Sequence, residues 1–574
     1  MVGKLRFGGR TSTMGLSGRA LRLAITITAV TGFSLFGYDQ GLMSGLITGD
    51  QFNSEFPATK AHDDLRKPVV VQGAVTSCYE IGCFFGSLFV MFRGEHIGRK
   101  PLVIIGAIAT IVGTVISTAA FGPHWGLGQF VIGRVITGMG TGLNTSTIPV
   151  WQSEMSKPEN RGILVNLEGS VIAVGTMIAY WIDFGLSFVD SSVQWRFPVA
   201  MQIVFAIMLL VGISELPDSP RWLMSQGRRE EAIYVLAKLD NLDENDDSIV
   251  AEATLIQDAV NRFRHEKRSI KDLFTGGNTQ NLQRALIAAS TQFFQQFTGC
   301  NAAIYYSTVL FEQSIGLERR LALILGGVFS TIYALFTIPS FFLVESLGRR
   351  NLFLLGATGQ AVSFTITFAC LIKDTTQNAK GAAVGLFLFI CFFGMSILSL
   401  PWIYPPEIAS MRVRSATNAF STCTNWLCNF AVVMFTPVFI SDAKWGCYLF
   451  FAVINWIYIP VIFFFYPETA GRSLEEIDII FAKSHTDGVM PWRVAATLPK
   501  LSYSEIEDYA NAMGLYDDDL EKEEMNDDEN EELEKEANQG VNGYTLFQKK
   551  PSNEEEIPSQ QNAEGSSTTS HKTE

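Results

Sequence analysis

The sequence has few charges, few histidines and no cluster of candidate metal ligands. Only 17% of its 574 residues are charged and six are histidine, and we find no nucleophile motif or phosphate-binding glycine loop. Gly138, Gly140 and Gly142 lie in an apolar stretch, where close helix packing explains them. All eight cysteines also lie in apolar stretches, so no extramembrane disulfide framework is expected. We therefore expect no enzyme activity, no metal, no cofactor and no nucleic-acid partner.

Apolar residues instead make up 48% of the chain and fall into long blocks. A run of about 17–25 residues with few charges is long enough to cross a lipid bilayer as a helix. Twelve blocks pass this test, at 23–47, 69–92, 101–121, 126–149, 163–184, 196–214, 283–311, 321–344, 351–372, 382–406, 416–440 and 446–466. The first block has no signal-peptide cleavage site, so we expect it to be retained. The sequence predicts an all-α membrane protein with twelve transmembrane helices, spans 1 to 12.

Basic residues indicate how the spans are oriented. Residues 1–22 contain five basic residues and no acidic one, and short basic turns follow spans 2, 4, 8 and 10. Since basic residues beside spans mark cytoplasmic loops, both termini are expected in the cytoplasm.

A polar segment between spans 6 and 7 divides the chain. We expect a cytoplasmic N-terminal segment, a six-helix half, a cytoplasmic helical linker, a second six-helix half and a cytoplasmic tail, at 1–22, 23–214, 215–282, 283–466 and 467–574. In the linker, Ala232, Val235, Leu236 and Leu239 have helical spacing. From about residue 517 the tail is acidic and poor in apolar residues, which predicts disorder.

Similar charged turns recur six spans apart. Each contains an acid and an arginine: Glu95 and Arg99, Glu154 and Arg161, Glu345 and Arg349, and Glu407 and Arg414. The repetition indicates two pseudo-symmetric halves with a substrate site between them that opens to alternate sides of the membrane. We interpret the turns as gating ion pairs that join the halves at the cytoplasmic end. The alternative is that they only set the topology.

Span 1 carries one acidic residue, Asp39, near its middle. A charged residue there costs about 2.5–3.5 kcal/mol on insertion scales, so such residues usually face the bundle interior and serve a pathway. Gly37, Gly41 and Gly45 share another face, where a neighbouring helix can approach closely. Arg134 in span 4 is the intramembrane cation most able to meet Asp39. The alternative is a fixed ion pair without a role in transport.

Ten motifs follow one another between about residues 20 and 480. They are GYDQG (37–41), EHIGRK (95–100), GRVITGMGTG (133–142), ENRG (159–162), PDSPRWL (217–223), QQFTGCNAAIYYS (295–307), ESLGRR (345–350), PWIYPPEI (401–408), NWLCN (425–429) and PETAGRSLEEI (467–477). This set resembles the sugar porter family of the major facilitator superfamily. The resemblance implies the major facilitator fold and transport by alternating access.

Within that family the chain is most similar to glycerol/proton symporters of the yeast plasma membrane, through stretches such as LFGYDQGLMSGLITG (35–49). The similarity implies active uptake of glycerol, with the proton as coupling ion. In proton-coupled sugar porters an Asp and an Arg match Asp39 and Arg134 and act as the coupling pair. The resemblance also implies a substrate pocket lined by Gln295, Gln296, Asn301, Trp402, Asn425 and Trp426.

The sequence departs from the family pattern at several pocket positions. Gly169 stands where sugar porters have a sugar-contacting Gln, Tyr333 stands where they have an Asn, and Leu398-Ser399 replaces a Gly-Pro pair. Fewer polar partners and an added ring predict a tighter pocket, which suits a three-carbon polyol better than a pyranose. Beside Gly169, Glu168 is a second intramembrane acid to which we assign no role.

Span 7 is expected to be broken rather than continuous. If span 7 were one continuous helix, Gln292, Gln295 and Gln296 would lie on the same face and Asn301 would point away from that face. Transporter helices are often interrupted beside their substrates, so we expect a break near Gly299 and Cys300.

Two other functions stay open at this point. One is a proton-coupled porter of hexoses, pentoses or larger polyols. The other is a nutrient sensor that does not transport and signals through its tail, although Asp39, Arg134 and Gln295–Gln296 argue against it.

Overall fold

The computed structural model describes nine segments of the chain: 12–60, 66–122, 125–156, 161–265, 270–277, 279–373, 375–410, 413–501 and 503–513. The segments are helical and contain no strand. The acidic region from about residue 517, for which we predict disorder, lies outside them, as does the side chain of Arg161.

Six long helices form the N-terminal half. They are Gly18–Ile47, Arg66–Ile97, Arg99–Thr118, Gly126–Glu154, Arg161–Leu186 and Val193–Glu215. They correspond to spans 1 to 6. A short helix, Asp50–Glu55, and a 3₁₀ turn, Pro57–Thr59, follow span 1.

The C-terminal half contains the other six spans, several of them interrupted. Span 7 consists of Asn281–Phe297, Cys300–Tyr305 and Ser307–Val309, span 8 of Arg319–Phe336 and Ser340–Ser346, span 9 of Arg349–Leu371, span 10 of Thr376–Phe392 and Leu400–Ile408, span 11 of Arg414–Ala443 and span 12 of Trp445–Phe465. One turn of π-helix, Leu310–Ser314, extends span 7, and another, Phe393–Ile397, lies within span 10.

Ten described helices are long and apolar enough to cross a membrane by composition alone. The remaining two spans are 4 and 7. Span 4 is rich in glycine and threonine, and span 7 is divided by the break that the sequence predicts near Gly299. The predicted number of helices and the predicted break are both confirmed.

The two halves repeat the same packing. Spans 1 and 5, 3 and 4, and 3 and 6 pack together in the first half, and spans 7 and 11, 9 and 10, and 9 and 12 pack together in the second. The halves meet where span 2 packs on span 11 and span 5 packs on span 8, contacts that the same symmetry relates. The fold therefore has two equivalent halves around a central interface.

Glycines permit the closest contacts between spans. Gly37, Gly41 and Gly45 of span 1 lie against span 5, where an added Cβ on Gly41 would lie 2.7 Å from the carbonyl oxygen of Thr176. Gly138 and Gly142 of span 4 likewise lie against the backbone of span 2. Both groups confirm the packing interpretation, because a side chain at these positions would push the helices apart.

Shorter helices lie at one end of the bundle, which we call the linker end. Those between the halves are Pro220–Ser225, Arg229–Asp240, Asp247–His265 and a 3₁₀ turn, Ile270–Phe274; those after span 12 are Leu474–Asp487, Pro491–Thr497 and Tyr503–Ala512. The predicted apolar face of Arg229–Asp240 is buried, in one cluster with residues of spans 1 and 6. The opposite end of the bundle, which carries Asp50–Glu55, is called the far end.

Candidate functional site

A cavity lies at the interface of the halves. The space in it that is open to water-sized spheres is about 30 Å³, enough for only a few water molecules, so the cavity is small. Fourteen residues line it and none of them is charged. Six of them carry side-chain amides: Gln40, Gln295, Gln296, Asn301, Asn425 and Asn429. The cavity therefore offers neutral hydrogen-bonding groups.

Aromatic rings complete the wall. Phe36 contributes from the first half, and Tyr333, Phe393 and Trp402 contribute from the second. Rings bind the carbon–hydrogen faces of a polyol, while amides bind its hydroxyl groups. The lining thus suits a solute that is neutral, rich in hydroxyl groups and small.

The break in span 7 brings its polar side chains to the cavity. Gly299 has φ of +95°, a conformation that favours glycine, and a Cβ there would lie 2.9 Å from the Phe451 ring. Gln295 and Gln296 lie before the break and Asn301 lies after it, yet all three line the cavity. The glycine therefore turns the second segment so that Asn301 faces the same space as the glutamines.

Hydrogen bonds fix the orientation of most of the amides. Asn301 Nδ2 donates to Gln296 Oε1 at 2.7 Å and to Asn429 Oδ1 at 2.8 Å. Asn425 Nδ2 donates to Gln295 Oε1 at 3.0 Å, and Gln295 Nε2 donates to backbone carbonyls of span 10. A prearranged network of this kind lowers the entropy lost when a solute binds.

Two amide atoms in the lining lack a partner among the described residues. Gln40 Oε1 is a buried acceptor and Asn429 Nδ2 is a buried donor, and neither makes a hydrogen bond. A buried polar atom without a partner costs about 1–3 kcal/mol, so Gln40 Oε1 favours a ligand that supplies a donor, and Asn429 Nδ2 favours an acceptor, either on a ligand or on the nearby Glu80 carboxyl group. A hydroxyl group both donates and accepts, and satisfies either atom.

Sequence reasoning missed Gln40 and Asn429. Both had a signal: Gln40 follows Asp39 directly, and Asn429 lies four residues after Asn425, on the same face of span 11. The remaining lining residues that were missed are Phe36, Ile172, Cys300, Ile304 and Phe393, whereas Leu398 was among the pocket positions named from the sequence. Apolar residues in apolar spans carry no comparable signal.

Trp402 and Tyr333 line the cavity, but Trp426 and Gly169 do not. Trp426 is fully buried behind Phe36, with its ring edge-on to the Phe36 ring at 5.3 Å. Its expected place in the lining is wrong because Phe36 lies between it and the cavity. Trp426 instead supports the ring that the solute meets.

Gly169 packs between the halves instead of facing the cavity. A Cβ there would lie 2.8 Å from Ser399 Oγ of span 10. The two departures from the family pattern, at 169 and at 399, therefore meet each other, and a glutamine at 169 would clash. The missing side chain allows the halves to approach at this point. Neighbouring Glu168 is buried but is not part of the lining.

Asp39 and Arg134 form a buried ion pair beside the cavity. Arg134 Nη1 donates to Asp39 Oδ1, and both residues are 1% exposed. The guanidinium carbon also lies 4.6 Å from the centre of the Tyr79 ring, a cation–π contact. Neither Asp39 nor Arg134 touches the cavity, although Gln40 lines it. The pair thus lies outside the cavity, and Asp39 adjoins a lining residue in sequence.

The pair is incompletely satisfied. Among the described residues, Asp39 Oδ2 and Arg134 Nε and Nη2 have no hydrogen-bond partner. A buried pair held by one bond gains less than a bidentate pair and still bears the desolvation of both charges. Protonation of Asp39 would break this one hydrogen bond and leave the buried Arg134 charge without its partner.

The charged turns lie at the linker end, but their described ion pairs do not join the halves. Arg99 pairs with Glu154 at 3.0 Å within the first half, and Arg349 pairs with Glu407 at 3.0 Å and Glu345 at 3.1 Å within the second. The expectation of pairs between the halves is wrong for these residues, because each arginine reaches the neighbouring turn of its own half. Glu95 and Arg414 also have interactions, and the side chain of Arg161 lies outside the described residues.

Neutral hydrogen bonds join the halves on both sides of the cavity. Toward the far end, Ser44 Oγ donates to Thr308 Oγ1 at 3.1 Å. Toward the linker end, Ser340 Oγ donates to Asn166 Oδ1 at 2.9 Å. The cavity therefore lies between two sets of contacts, one of which has to open for a solute to pass.

Known proteins have sequences similar to this one. Residues 24–481 match the family model described as "Sugar (and other) transporter". The chain is 69% identical over 563 residues to the "Sugar transporter STL1" of Saccharomyces cerevisiae, covering 98% of each chain. It is 55% identical over 523 residues to the "Major facilitator superfamily transporter mfsA" of Aspergillus fumigatus, covering 90% of this chain and 96% of the relative.

The fold matches solved structures as well. A structure of the proton:xylose symporter XylE of E. coli superposes with a TM-score of 0.68 at 24% identity, covering 80% of this chain and 99% of XylE. The twelve helices in two pseudo-symmetric halves are thus the major facilitator fold.

Proposed function

Because this chain belongs to the sugar transporter family of the major facilitator superfamily, we propose that it is a symporter that carries glycerol into the cell together with protons. It is a multi-pass membrane transporter of the sugar and polyol class and not an enzyme. The finer assignment, to glycerol and to the proton, rests on the lining of the cavity and on the buried pair beside it.

The substrate assignment rests on the two unpartnered amide atoms in an uncharged wall. Gln40 Oε1 and Asn429 Nδ2 favour a hydroxyl group between them, and the absence of charge in the lining disfavours carboxylate solutes. The approach of Gly169 to Ser399 keeps the halves close beside the cavity. A three-carbon polyol therefore fits this space better than a sugar ring.

The proton assignment rests on the Asp39–Arg134 pair. A carboxylate in a low-dielectric interior is stable when a guanidinium neutralises it, and becomes neutral by taking up a proton when the pair breaks. We propose that protonated, unpaired Asp39 favours the state open to the outside, which accepts glycerol. On the inside, release of the proton restores the pair and favours release of the solute.

Gln40 supplies the link between proton and solute. It is the residue after Asp39, and its Nε2 lies 3.5 Å from Asn301 Oδ1 of span 7. A glycerol hydroxyl that binds Gln40 and Asn301 changes the position of span 1 relative to span 7. Because Asp39 moves with span 1, binding of the solute and pairing with Arg134 are coupled.

The driving force is sufficient for accumulation. One charge that crosses 100 mV supplies about 2.3 kcal/mol, and one pH unit supplies about 1.4 kcal/mol. Their total of about 3.7 kcal/mol supports accumulation by several hundred-fold for one proton per glycerol.

We propose the plasma membrane as the location, with the linker end and both termini in the cytoplasm. The basic residues at that end support this orientation. The charged turns then stiffen the cytoplasmic end of each half, through the Arg99–Glu154 and Arg349–Glu407 pairs.

The test is uptake of labelled glycerol with simultaneous recording of external pH, in cells that lack other glycerol carriers. We expect the medium to become alkaline when glycerol is added, with accumulation that collapses on addition of a protonophore. Unlabelled hexoses, pentoses and hexitols should compete weakly. Uptake without a pH change would contradict proton coupling, and stronger competition by a hexose than by glycerol would contradict the substrate.

A further inference from the structure

The N-terminal half holds the part of span 7 that follows the break. Ser44 of span 1 bonds Thr308 at 3.1 Å, and the Tyr180 hydroxyl of span 5 lies 2.6 Å from Ser307 Oγ. Glu80 of span 2 accepts a hydrogen bond from the Tyr305 hydroxyl at 2.5 Å. Three spans of the N-terminal half thus form hydrogen bonds with residues 305–308 of the C-terminal half. The same segment begins at the Gly299 break and carries Asn301 into the cavity.

Glu80 differs from the other two because it is a carboxyl group in mid-span. It is 0% exposed, and its Oε2 has no hydrogen-bond partner among the described residues. Charged side chains in such a position are rare and are a default indication of function. In the bond to Tyr305 the hydroxyl group is the donor and the Glu80 carboxyl group is the acceptor.

The groups around Glu80 connect it to both parts of the site. Asp39 and Arg134 lie within electrostatic reach of its carboxyl group, and Asn429 of the cavity lining also faces it. Tyr79, the preceding residue, carries the ring that contacts the Arg134 guanidinium. Span 2 therefore touches the buried pair at residue 79 and span 7 at residue 80.

We propose that Glu80 is a positioning residue that latches the second segment of span 7 against the N-terminal half and so closes the far end of the cavity. The proposal rests on the function proposed above in one respect, which is that the far end faces the outside of the cell. Glu80 acts through Tyr305, whose hydroxyl group donates to it from the other half. A neutral acceptor at position 80 suffices for closure, because the hydroxyl group is the donor.

Cys300 provides a readout of the latch. It lines the cavity just after the break and is 1% exposed, so a reagent from outside reaches its thiol only when the far end opens. Intact cells are treated with a small, charged, membrane-impermeant methanethiosulfonate reagent. The rate of modification is then measured by mass spectrometry of the peptide that contains Cys300.

We expect Glu80→Ala and Tyr305→Phe each to raise the rate of Cys300 modification at least fivefold. Glu80→Gln should stay within twofold of the unsubstituted protein, because the amide oxygen still accepts the bond. The matched control is Tyr404→Phe. It removes another buried hydroxyl, whose bond to the Pro467 carbonyl at 2.7 Å does not cross between the halves.

Transport gives a second readout. Glu80→Ala should lose most of its glycerol accumulation but keep exchange of labelled for unlabelled glycerol, and Glu80→Gln should restore accumulation. The latch would be overturned by Cys300 modification at the original rate in Glu80→Ala and Tyr305→Phe, or by equal acceleration in Tyr404→Phe. Modification of Cys300 requires neither glycerol nor a proton gradient. The latch can therefore be tested even if the protein proves to carry another solute or no proton.

Discussion

The two halves share one fold but bury different chemistry. Within the membrane-spanning core, the N-terminal half buries ionisable groups, among them Asp39, Glu80 and Arg134. The C-terminal half supplies the amides Gln295, Gln296, Asn301, Asn425 and Asn429. Among the described residues of the C-terminal half, the buried arginines Arg284 and Arg349 lie at the linker end and not in the middle of the membrane-spanning core.

Under the proposed function, this difference separates the ion from the solute. A repeated fold would allow both halves to bind both, yet one half would hold the proton pair and the other most of the solute's partners. Coupling then depends on contacts that cross between them, among which are Gln40 with Asn301 and Glu80 with Tyr305. Substitutions in one half should change one partial reaction and spare the other.

The largest expected effect is on the N-terminal half. Asp39→Asn removes the titrating group, so accumulation of glycerol should fall from several hundred-fold to no gradient at all, while exchange across the membrane continues. The measurement is uptake into vesicles with an imposed proton gradient, compared with counterflow without one. If the Asp39→Asn variant still accumulated glycerol, the proposal that the N-terminal half binds the coupling proton would be contradicted.

A smaller effect is expected in the C-terminal half. Asn301→Ala removes a cavity amide, and the loss of one or two hydrogen bonds to a neutral ligand, about 0.5–1.5 kcal/mol each, should raise the KM for glycerol about tenfold. The proton-to-glycerol ratio should not change. The matched control is Gln360→Leu in span 9, a buried amide outside the lining. A changed proton-to-glycerol ratio in Asn301→Ala would mean that proton coupling and solute binding are not separated between the two halves.

The smallest effect concerns the interface. Gly169→Gln places a side chain against Ser399 Oγ, and overpacking costs about 1–3 kcal/mol, so transport should slow several-fold. Ser399→Gly in the same chain should restore part of the rate. In the same helix, Gly185 has open space around it, and Gly185→Gln should transport normally. Equal slowing by both substitutions would argue against a packing role for Gly169.

Much of the fold was predictable because hydrophobic blocks and helix-breaking residues report local structure. The twelve spans, the break at Gly299 and the packing face of Gly37 and Gly41 follow from spacing alone. The contact of Asp39 with Arg134 was also anticipated, since few charges occur in these spans and each has few possible partners.

Contacts that depend on how helices rotate were not predictable. Arg99 reaches Glu154 of its own half instead of crossing the interface, and Trp426 lies behind Phe36 instead of in the cavity. Glu80 is a mid-span acid that is visible in the sequence and was overlooked, whereas its contact with Tyr305, 225 residues away, depends on how the helices rotate. Side chains on one face of a span are equivalent in sequence until the neighbouring helix is known.

The uncharged wall of the cavity has a consequence for electrical recording. A neutral solute in a neutral cavity adds no charge movement of its own, so under the proposed function any steady current through this protein is carried by the proton. The ratio of that current to the flux of labelled solute, measured in the same voltage-clamped cell, is then a direct count of ions per molecule carried.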